Sequence, residues 1–343
     1  MKNKQKPGEI LFLTREDVYE SVTAGECVDR CGETFRWVGE GLVEQIPPIS
    51  FWVSEPEDEF GHGFIQSYPA HVRPLKAAGN KWLGGYAKNR LRSLPSLSAL
   101  VLLSDTETAM PVAIMDGVAV TALRTAGHSG VGIRELARKN ASIFSLIGCG
   151  VQGRAHLKIL TDVWNFEEIR IYDMNHEAAE ASVEEIGEES MQASRIHVCS
   201  EPREAAEGAD VICMATTSRE PVVMASWISE GALVCGINGF LDLDPESALS
   251  CDKRILGYYE RDLECVDGPE VGKTSPPSFP YTRSDIHADL ATEIIPGKKK
   301  GREHEKERIA FTHHGMPALD TALAHLVYEK ACTLNRGTVL SIL

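Results

Sequence analysis

The hydrophobic pattern of the chain changes character twice along its length. From about residue 49 to residue 115, short apolar segments are broken by glycine and proline, and this pattern predicts a β-rich region. From about residue 140 onward, apolar runs such as ASIFSLI and EIRIY alternate with segments of helical periodicity, which predicts a parallel sheet covered by helices on both faces. Residues 316–338 have the pattern of one long amphipathic helix.

Local sequence signals indicate where several of the predicted helices and strands begin and end. The run ILFLT predicts a strand, and Thr14 follows it as a helix N-cap, with Asp17 three residues on as its capping-box partner. Residues 26–40 predict a second helix. The charged segment 297–308 predicts an exposed loop before a last strand, RIAFTH.

The length and the change of pattern predict two domains. At 343 residues the chain exceeds one ordinary domain. The predicted fold class is α/β. We expect a β-rich α+β domain over residues 1–125, completed by a C-terminal helix over residues 316–343, and a nucleotide-type α/β domain over residues 126–315.

The composition restricts the partners and the compartment. The 35 basic and 50 acidic side chains give a formal net charge of −15, which disfavours nucleic acid and anionic membranes as partners. No apolar run approaches the roughly 20 residues of a membrane-spanning helix, and no signal core follows MKNKQKPGEI, so we expect a cytoplasmic protein. The nine cysteines form no C-x-x-C pair, which favours reduced, buried thiols over a zinc site, and no metal is expected.

The sequence GCGVQG, residues 148–153, is the sharpest local motif in the chain. It directly follows the strand ASIFSLI and directly precedes a helix, which is the context that a dinucleotide-binding G-x-G-x-x-G loop requires. The first glycine makes a tight turn, the second admits the pyrophosphate, and the third lets helix and strand pack closely. The motif therefore predicts a Rossmann domain whose cofactor contacts include Gly148, Gly150, Val151, Gln152 and Gly153.

An acidic residue at the end of the next strand favours one cofactor over another. Asp173 lies 20 residues past Gly153, where a carboxylate can accept hydrogen bonds from the adenine ribose and repel a 2′-phosphate. We therefore predict NAD(H) rather than NADP(H). Thr216 and Thr217 follow the strand ADVICMA and are predicted to line the cofactor crevice, although helix capping is an equally good interpretation.

Upstream of the glycine loop, further motifs occur in a fixed order. The chain reads GNKWLGGYAKN, then SLPSLSALVLLSDTETAMPVAIMDG, then ALRTAG. Over about residues 9–331 this order resembles the ornithine cyclodeaminase/μ-crystallin family, whose pattern has a lysine-aromatic segment, then L-P…D-x-x-T-x-x-P-x-A-x-x-D, then L/T-x-x-R-T-A. The late segment GMPALD, residues 315–320, resembles the family's G-x-x-x-x-D.

The resemblance implies an architecture and a chemistry. The first domain would bind a small amino or imino acid and pair with its twin in a homodimer, and the Rossmann domain would bind NAD(H). Lys81 aligns with the family's substrate-pocket lysine, and Arg124 aligns with an arginine that holds the substrate carboxylate, so both are predicted to bind substrate and act in catalysis. Thr125, next to Arg124, is predicted to contact the cofactor.

The chain departs from the cyclodeaminase pattern at an early arginine. Cyclodeaminases have a further pocket arginine on a strand that follows a proline-rich turn. Here Ile46 or Ile49 falls at that position, and Arg73 is the nearest alternative donor for the substrate. His313, just before the glycine of GMPALD, is a further candidate for substrate binding, although a polar strand-end role is the commoner one for such a histidine.

A second departure lies beyond the strand ALVCGI. Cyclodeaminases place an aspartate two residues past a glycine here, and this chain has Asn238, which we predict to act in catalysis and to contact the cofactor. An amide can form hydrogen bonds but cannot accept a proton as a carboxylate can. Asp242 or Asp244 takes the position only if the register shifts, and Asp244 has the pattern of a helix start.

Three functions are compatible with these features. Asn238 and the missing arginine favour an NAD(H)-dependent imine reductase or L-amino-acid dehydrogenase, which transfers hydride at the C–N bond of a small amino or imino acid. Overall family likeness alone favours a redox-neutral ornithine or lysine cyclodeaminase. A μ-crystallin-like binding protein with little catalysis is a third alternative, which the presence of both Lys81 and Arg124 disfavours.

Overall fold

The computed structural model describes residues 6, 8–53, 63–187, 195–218, 220–237, 243–262 and 282–343. The chain divides into two compact units. The first unit contains Met1–Arg124 and Gly315–Leu343, and the second contains Thr125–His314.

The first unit is built on an antiparallel sheet with one parallel pair. In its described residues, the strands follow the spatial order β16-β1-β7-β6-β5-β4-β2, and β3 also pairs with β4. Strands β4 to β7 form an antiparallel meander, and β1 runs parallel to β7. The strands are β1 (Glu9–Leu13), β2 (Val43–Gln45), β3 (Ile49–Trp52), β4 (Phe64–Val72), β5 (Ala77–Gly85), β6 (Leu97–Asp105), β7 (Pro111–Asp116) and β16 (Thr338–Ser341).

Helices α1 (Arg15–Ser21) and α2 (Ala24–Gly39) follow the first strand. The predicted capping box at Thr14 and Asp17 is confirmed, since each side chain accepts from the backbone N–H of the other residue. The second helix begins two residues earlier than predicted because Thr23 forms a capping box with Glu26. Helix α3 (Gly117–Leu136) follows β7 and contains the boundary between the units.

The C-terminal segment differs from the prediction of one helix to the chain end. Helix α9 (Pro317–Leu334) ends where Asn335 adopts a left-handed conformation, and Gly337 then has a φ of +89°. These two residues turn the chain into β16, which pairs antiparallel with β1. The helix is also buried around most of its circumference over its first three turns, so it is a core helix rather than an amphipathic one.

The second unit contains the predicted parallel sheet. Its strand order is β10-β9-β8-β11-β12-β15-β13-β14, and every described pair is parallel, which confirms the predicted α/β class. The strand order reverses between β8 and β11, where doubly wound folds bind ligands. The strands are β8 (Ile143–Ile147), β9 (Glu168–Tyr172), β10 (Ile196–Val198), β11 (Val211–Met214), β12 (Leu233–Gly236), β13 (Lys253–Leu256), β14 (Ala288–Asp289) and β15 (Ile309–Thr312).

Along the sequence, helices alternate with the strands of this sheet. They are α4 (Val151–Val163), α5 (His176–Ile186), α6 (Pro202–Ala206), α7 (Pro245–Ser250) and α8 (Tyr259–Asp262). A single π-helical turn, Leu290–Ile294, follows β14. The charged segment 297–308 has no helix or strand, as predicted.

The cysteines that the structure describes are not joined in disulfide bonds. Seven are buried, and Cys332 is partly buried, in agreement with the prediction of reduced core thiols. Burial raises the pKa of Cys149 to about 12 and that of Cys251 to about 12, so these thiols stay protonated and unreactive near neutral pH. No described helix combines the length and apolar character needed to cross a membrane.

Candidate active site

The glycine loop lies between β8 and α4 and is shaped by backbone contacts. Gly148 has a φ of +98°, and a Cβ there would stand 2.7 Å from the Ala215 carbonyl oxygen. Its N–H donates to the Tyr172 carbonyl at 2.8 Å. The first glycine therefore makes the predicted tight turn, and it lies against the end of β9 and the segment that follows β11.

The other two glycines have opposite surroundings. A Cβ on Gly153 would lie 1.8 Å from the Gly148 carbonyl oxygen, so helix α4 can approach the turn only without a side chain there. A Cβ on Gly150 would meet no atom within 4 Å. Gly150 is the N-cap of α4 and has no side chain that could cap the helix. The space in front of the N–H groups of the first turn is therefore open, as pyrophosphate binding requires.

Alanine substitutions separate these two roles. We expect Gly150→Ala to keep the thermal midpoint of the protein and to weaken NADH binding about 100-fold, because its methyl group occupies space that pyrophosphate needs. We expect Gly153→Ala to lower the free energy of unfolding by about 2 kcal/mol or more, because the clash is with backbone. Calorimetry and NADH fluorescence titration check both. Unchanged NADH affinity in Gly150→Ala would contradict the assigned pyrophosphate position.

Asp173 directly follows β9 and lies against the glycine loop. Its Oδ2 accepts from the Cys149 N–H at 2.7 Å, and its Oδ1 accepts from the Asn175 N–H at 2.8 Å. The carboxylate is therefore fixed beside the loop, where an adenine ribose would bind. The Arg170 guanidinium donates hydrogen bonds to the Glu168 carboxylate and to the Glu207 carbonyl oxygen. These partners hold Arg170, and neither of them is Asp173.

The remaining predicted cofactor residues lie around the same edge or within α3. Thr216 and Thr217 follow β11, and the Thr216 hydroxyl accepts from the Ser218 N–H at 3.0 Å, so it stabilises this turn. Gln152 has a buried side-chain oxygen that receives no hydrogen bond within the described part of the chain. This oxygen and the open space at Gly150 both fit a bound dinucleotide. Thr125 is buried within α3.

A buried ion cluster lies in the first unit. Lys81 on β5 and Arg124 on α3 both contact Asp320 on α9, although 239 residues separate Lys81 from Asp320. The Lys81 Nζ lies 2.7 Å from Asp320 Oδ2, and the Arg124 Nε lies 3.0 Å from Asp320 Oδ1. The three residues are 1%, 5% and 1% exposed. Tyr68 on β4 places its ring 4.3 Å from the Lys81 Nζ.

Two glycines allow the elements to approach closely at this cluster. A Cβ on Gly79 of β5 would lie 2.6 Å from the Thr321 hydroxyl of α9, and a Cβ on Gly315 would lie 2.6 Å from an Arg124 terminal nitrogen. Two cations and one carboxylate give the cluster a formal charge of +1, and such a site suits a carboxylate ligand. The sequence motif GMPALD contains Asp320, but its pairing with Lys81 could not be read from spacing.

The structure does not bring Arg73 to this cluster. Arg73 follows β4, five residues beyond Tyr68, whose register partner is Lys81, and this distance along a strand is about 16 Å. Its exposed guanidinium pairs with Glu44 instead. The prediction that Arg73 replaces the missing pocket arginine is therefore not supported.

His313 lies in the core of the second unit rather than on an open edge. Its Nε2 is 2.8 Å from the Ser129 hydroxyl, which also lies 2.9 Å from His156 Nε2, and its ring stacks on His128 at 3.7 Å. This packing does not support a substrate contact by His313. The neighbouring His314 is partly exposed, with its Nδ1 3.4 Å from the buried Asp262 carboxylate.

Asn238 and Asp242 both lie outside the described residues. Asp244 is the N-cap of α7, so it begins a helix as its sequence pattern indicates.

A parallel sheet with a glycine loop at its switch point is typical of a dinucleotide-dependent enzyme, and the buried Lys–Arg–Asp cluster of the first unit has a charge that suits a small carboxylate. The chain belongs to the ornithine cyclodeaminase/mu-crystallin family, whose model matches residues 9–335. It is 33% identical to an alanine dehydrogenase of Archaeoglobus fulgidus, over 96% of this chain and 98% of that protein.

Two solved structures are similar over nearly the whole chain. One is the Δ1-pyrroline-2-carboxylate reductase of Thermococcus litoralis in complex with NADH and L-proline, at 31% identity and a TM-score of 0.83, covering 96% of this chain and 99% of that one. The other is an archaeal alanine dehydrogenase dimer with bound NAD, at 31% identity and a TM-score of 0.83, covering 98% and 100%. These relatives confirm the predicted class, an NAD(H)-dependent oxidoreductase of amino or imino acids.

Proposed function

We propose that this protein is an NADH-dependent reductase of small α-imino acids, which it converts to L-amino acids. The observation that carries the proposal is the buried cluster in the first unit. Lys81 can donate a proton, Arg124 can hold a carboxylate, and Asp320 fixes both cations in a site nearly closed to water.

The chain's own residues supply binding and proton transfer. The Arg124 guanidinium binds the substrate carboxylate through two parallel hydrogen bonds, which orients the C=N bond. The Lys81 ammonium donates a proton to the imine nitrogen, and burial strengthens both contacts by excluding water. The reduced cofactor, when bound, supplies the hydride that the α-carbon accepts. Asp173 favours NADH for this purpose because its carboxylate repels a 2′-phosphate.

Asn238 supports reduction over cyclodeamination. The cyclodeaminase pattern has a carboxylate at this position, which works on the substrate amine, and an amide cannot accept that proton. The proposal therefore places the chain with the similar reductase and dehydrogenase.

The test follows reduced-nicotinamide absorbance as purified protein and NADH meet imino acids. The panel contains Δ1-pyrroline-2-carboxylate, its six-membered homologue, and pyruvate with ammonium. We expect NADH oxidation with at least one cyclic imino acid and none with a Lys81→Met variant. Oxidation by no member, together with ammonia release from ornithine or lysine in the presence of NAD, would establish a cyclodeaminase instead.

The proposed assembly is a homodimer formed through the first unit, in the cytoplasm. Helix α9 packs on one face of the sheet at β4, β5 and β6. The opposite face carries Trp82, Leu100 and Leu102, which are 50%, 49% and 40% exposed, and Trp82 pairs directly with Leu100. Ile49 and Phe51 on β3 are similarly exposed. An apolar face of this kind is typical of a protein–protein interface, and the similar archaeal alanine dehydrogenase is a dimer.

A charge on this face should separate the subunits. We expect Leu100→Asp to weaken dimerisation about 100-fold or more, since a carboxylate would be buried without a partner. Sedimentation or light scattering over a concentration series measures the effect. Leu249→Asp, at an exposed position of the second unit, is the matched control and should leave the dimer intact. A Leu100→Asp protein that stays dimeric would exclude this face as the interface.

A further inference from the structure

We propose that Asp320 is the positioning residue that keeps Lys81 charged, and that the cluster thereby selects substrates with a single negative charge at the reacting end. This inference rests on the proposed reductase function and goes beyond it. In this proposal, the Asp320 carboxylate on α9 sets the charge state of Lys81, which is the proton donor.

The carboxylate of Asp320 lies between the two cations with one oxygen on each. Oδ2 is 2.7 Å from the Lys81 Nζ, and Oδ1 is 3.0 Å from the Arg124 Nε. Asp320 is 1% exposed and lies in the first turn of α9, a buried helix, so its position is set by packing rather than by solvent. The arrangement couples the ammonium and the guanidinium through a single rigid group.

Within the described part of the chain, Asp320, Tyr68 and Arg124 lie around the Lys81 ammonium, and their effects on its charge differ in sign. Asp320 on α9 favours the charged form by its opposite charge at hydrogen-bond distance. The Tyr68 ring on β4 favours it more weakly. Arg124 on α3 opposes it, and so does burial, because both disfavour an additional positive charge. Asp320 is therefore the group that decides whether Lys81 holds a proton to donate.

Asp320 also sets which edge of Arg124 meets the substrate. It accepts from Nε, so the two terminal nitrogens are the edge that can pair with a carboxylate. Gly315 lies against this end of the guanidinium, where a Cβ would be 2.6 Å from one terminal nitrogen. A side chain at residue 315 would thus compete with the substrate for the same edge.

The charge of the cluster indicates the ionic form of the substrate. Its formal charge of +1 is balanced by an imino acid with an ionised carboxylate and an uncharged imine, whereas a protonated iminium would leave the excess charge in place. In the step itself, the Nζ–H bond of Lys81 breaks and the C=N π electrons form a new N–H bond. The reduced cofactor would supply the hydride that the α-carbon gains, and the neutral Lys81 that remains would regain its proton from water once the product has left the site.

The pH dependence of reduction tests this assignment. In the wild type, kcat/KM for Δ1-pyrroline-2-carboxylate with NADH should hold its value up to about pH 9 or higher, because Lys81 stays an ammonium. In Asp320→Asn, the pH at which kcat/KM begins to fall on the alkaline side should be lower by about one unit or more. At pH 9, kcat/KM of this variant should be at least about tenfold below that of the wild type. Asp320→Glu restores the charge and should restore the position of the fall.

Controls separate this effect from a general loss of structure or charge. Glu107→Gln removes an exposed carboxylate from Lys76 in the same unit and should leave the profile unchanged. The NADH dissociation constant, which is set by the second unit, should be alike in the wild type and in Asp320→Asn, and the thermal midpoint of the variant, although lowered by the uncompensated buried charge, should stay above the assay temperature. A protein with these properties and an unshifted profile would overturn the inference.

Two outcomes separate this inference from the function on which it rests. A wild type that reduces no imino acid at any pH contradicts the proposed function. An active wild type whose kcat/KM already falls near pH 7 contradicts the role of Asp320 alone. The second measurement needs no variant, so the role of Asp320 can be overturned even if Asp320→Asn does not fold.

Discussion

Replacement of Arg124 with alanine is expected to lower kcat/KM for imino-acid reduction by about 10³-fold, which corresponds to about 4 kcal/mol of lost transition-state binding. Two effects contribute to this loss of transition-state binding. The substrate carboxylate loses a charge-assisted, two-point contact, and Asp320 loses one of its two buried cations. NADH affinity should change by less than about twofold, because the glycine loop and Asp173 belong to the other unit.

Steady-state kinetics and NADH fluorescence titration measure the two quantities on the same preparation. Arg124→Lys keeps the charge but not the planar fork, so its activity should lie between those of wild type and alanine variant. Arg134→Ala removes a more exposed arginine from the same helix and should have no effect on either quantity. Equal losses of substrate and NADH binding in Arg124→Ala would contradict the assignment of Arg124 to the substrate.

Replacement of Asp173 with alanine is expected to shift the NADH-over-NADPH preference by about 100-fold toward NADPH. The variant loses the acceptor for the ribose hydroxyls and the charge that repels a 2′-phosphate. NADH affinity also falls because the carboxylate no longer anchors the Cys149 and Asn175 N–H groups.

Dissociation constants for the two reduced cofactors can be measured on the protein alone, without a substrate. Asp162→Ala makes the same change of charge at an exposed position in α4 and should leave the preference unaltered. An unchanged ratio of the two constants in Asp173→Ala would mean that another group recognises the ribose.

Local sequence signals predicted the conformation of the glycine loop and several elements of the fold. The glycine loop requires a left-handed Gly148 and a side-chain-free Gly153, and both requirements act over a few residues. The Thr14 capping box and the strands of the second unit are likewise local, since a hydrophobic period reports directly on the buried face of an element. The motifs around Lys81 and Arg124 gave the family, which the match over residues 9–335 confirms.

Other features depend on packing between distant segments. The ion cluster joins residues from β5, α3 and α9, and Asp320 reaches Lys81 only because Gly79 lets the helix approach the sheet. Spacing along the chain contains no such information. The same limit applies to Arg73, whose basic character is visible in the sequence but whose place beyond the end of β4, beside Glu44, is not.

The sequence by itself determined the family, the Rossmann domain and the NAD(H) cofactor of this protein, and it predicted a lysine and an arginine for a small carboxylate. The tertiary structure decided which groups share one buried site, that His313 packs in a core, and that the chain ends in a strand. The physical reason is that φ preferences, caps and periodicity act between near neighbours. The charge of a buried cluster depends instead on groups that only the completed fold brings within hydrogen-bond distance.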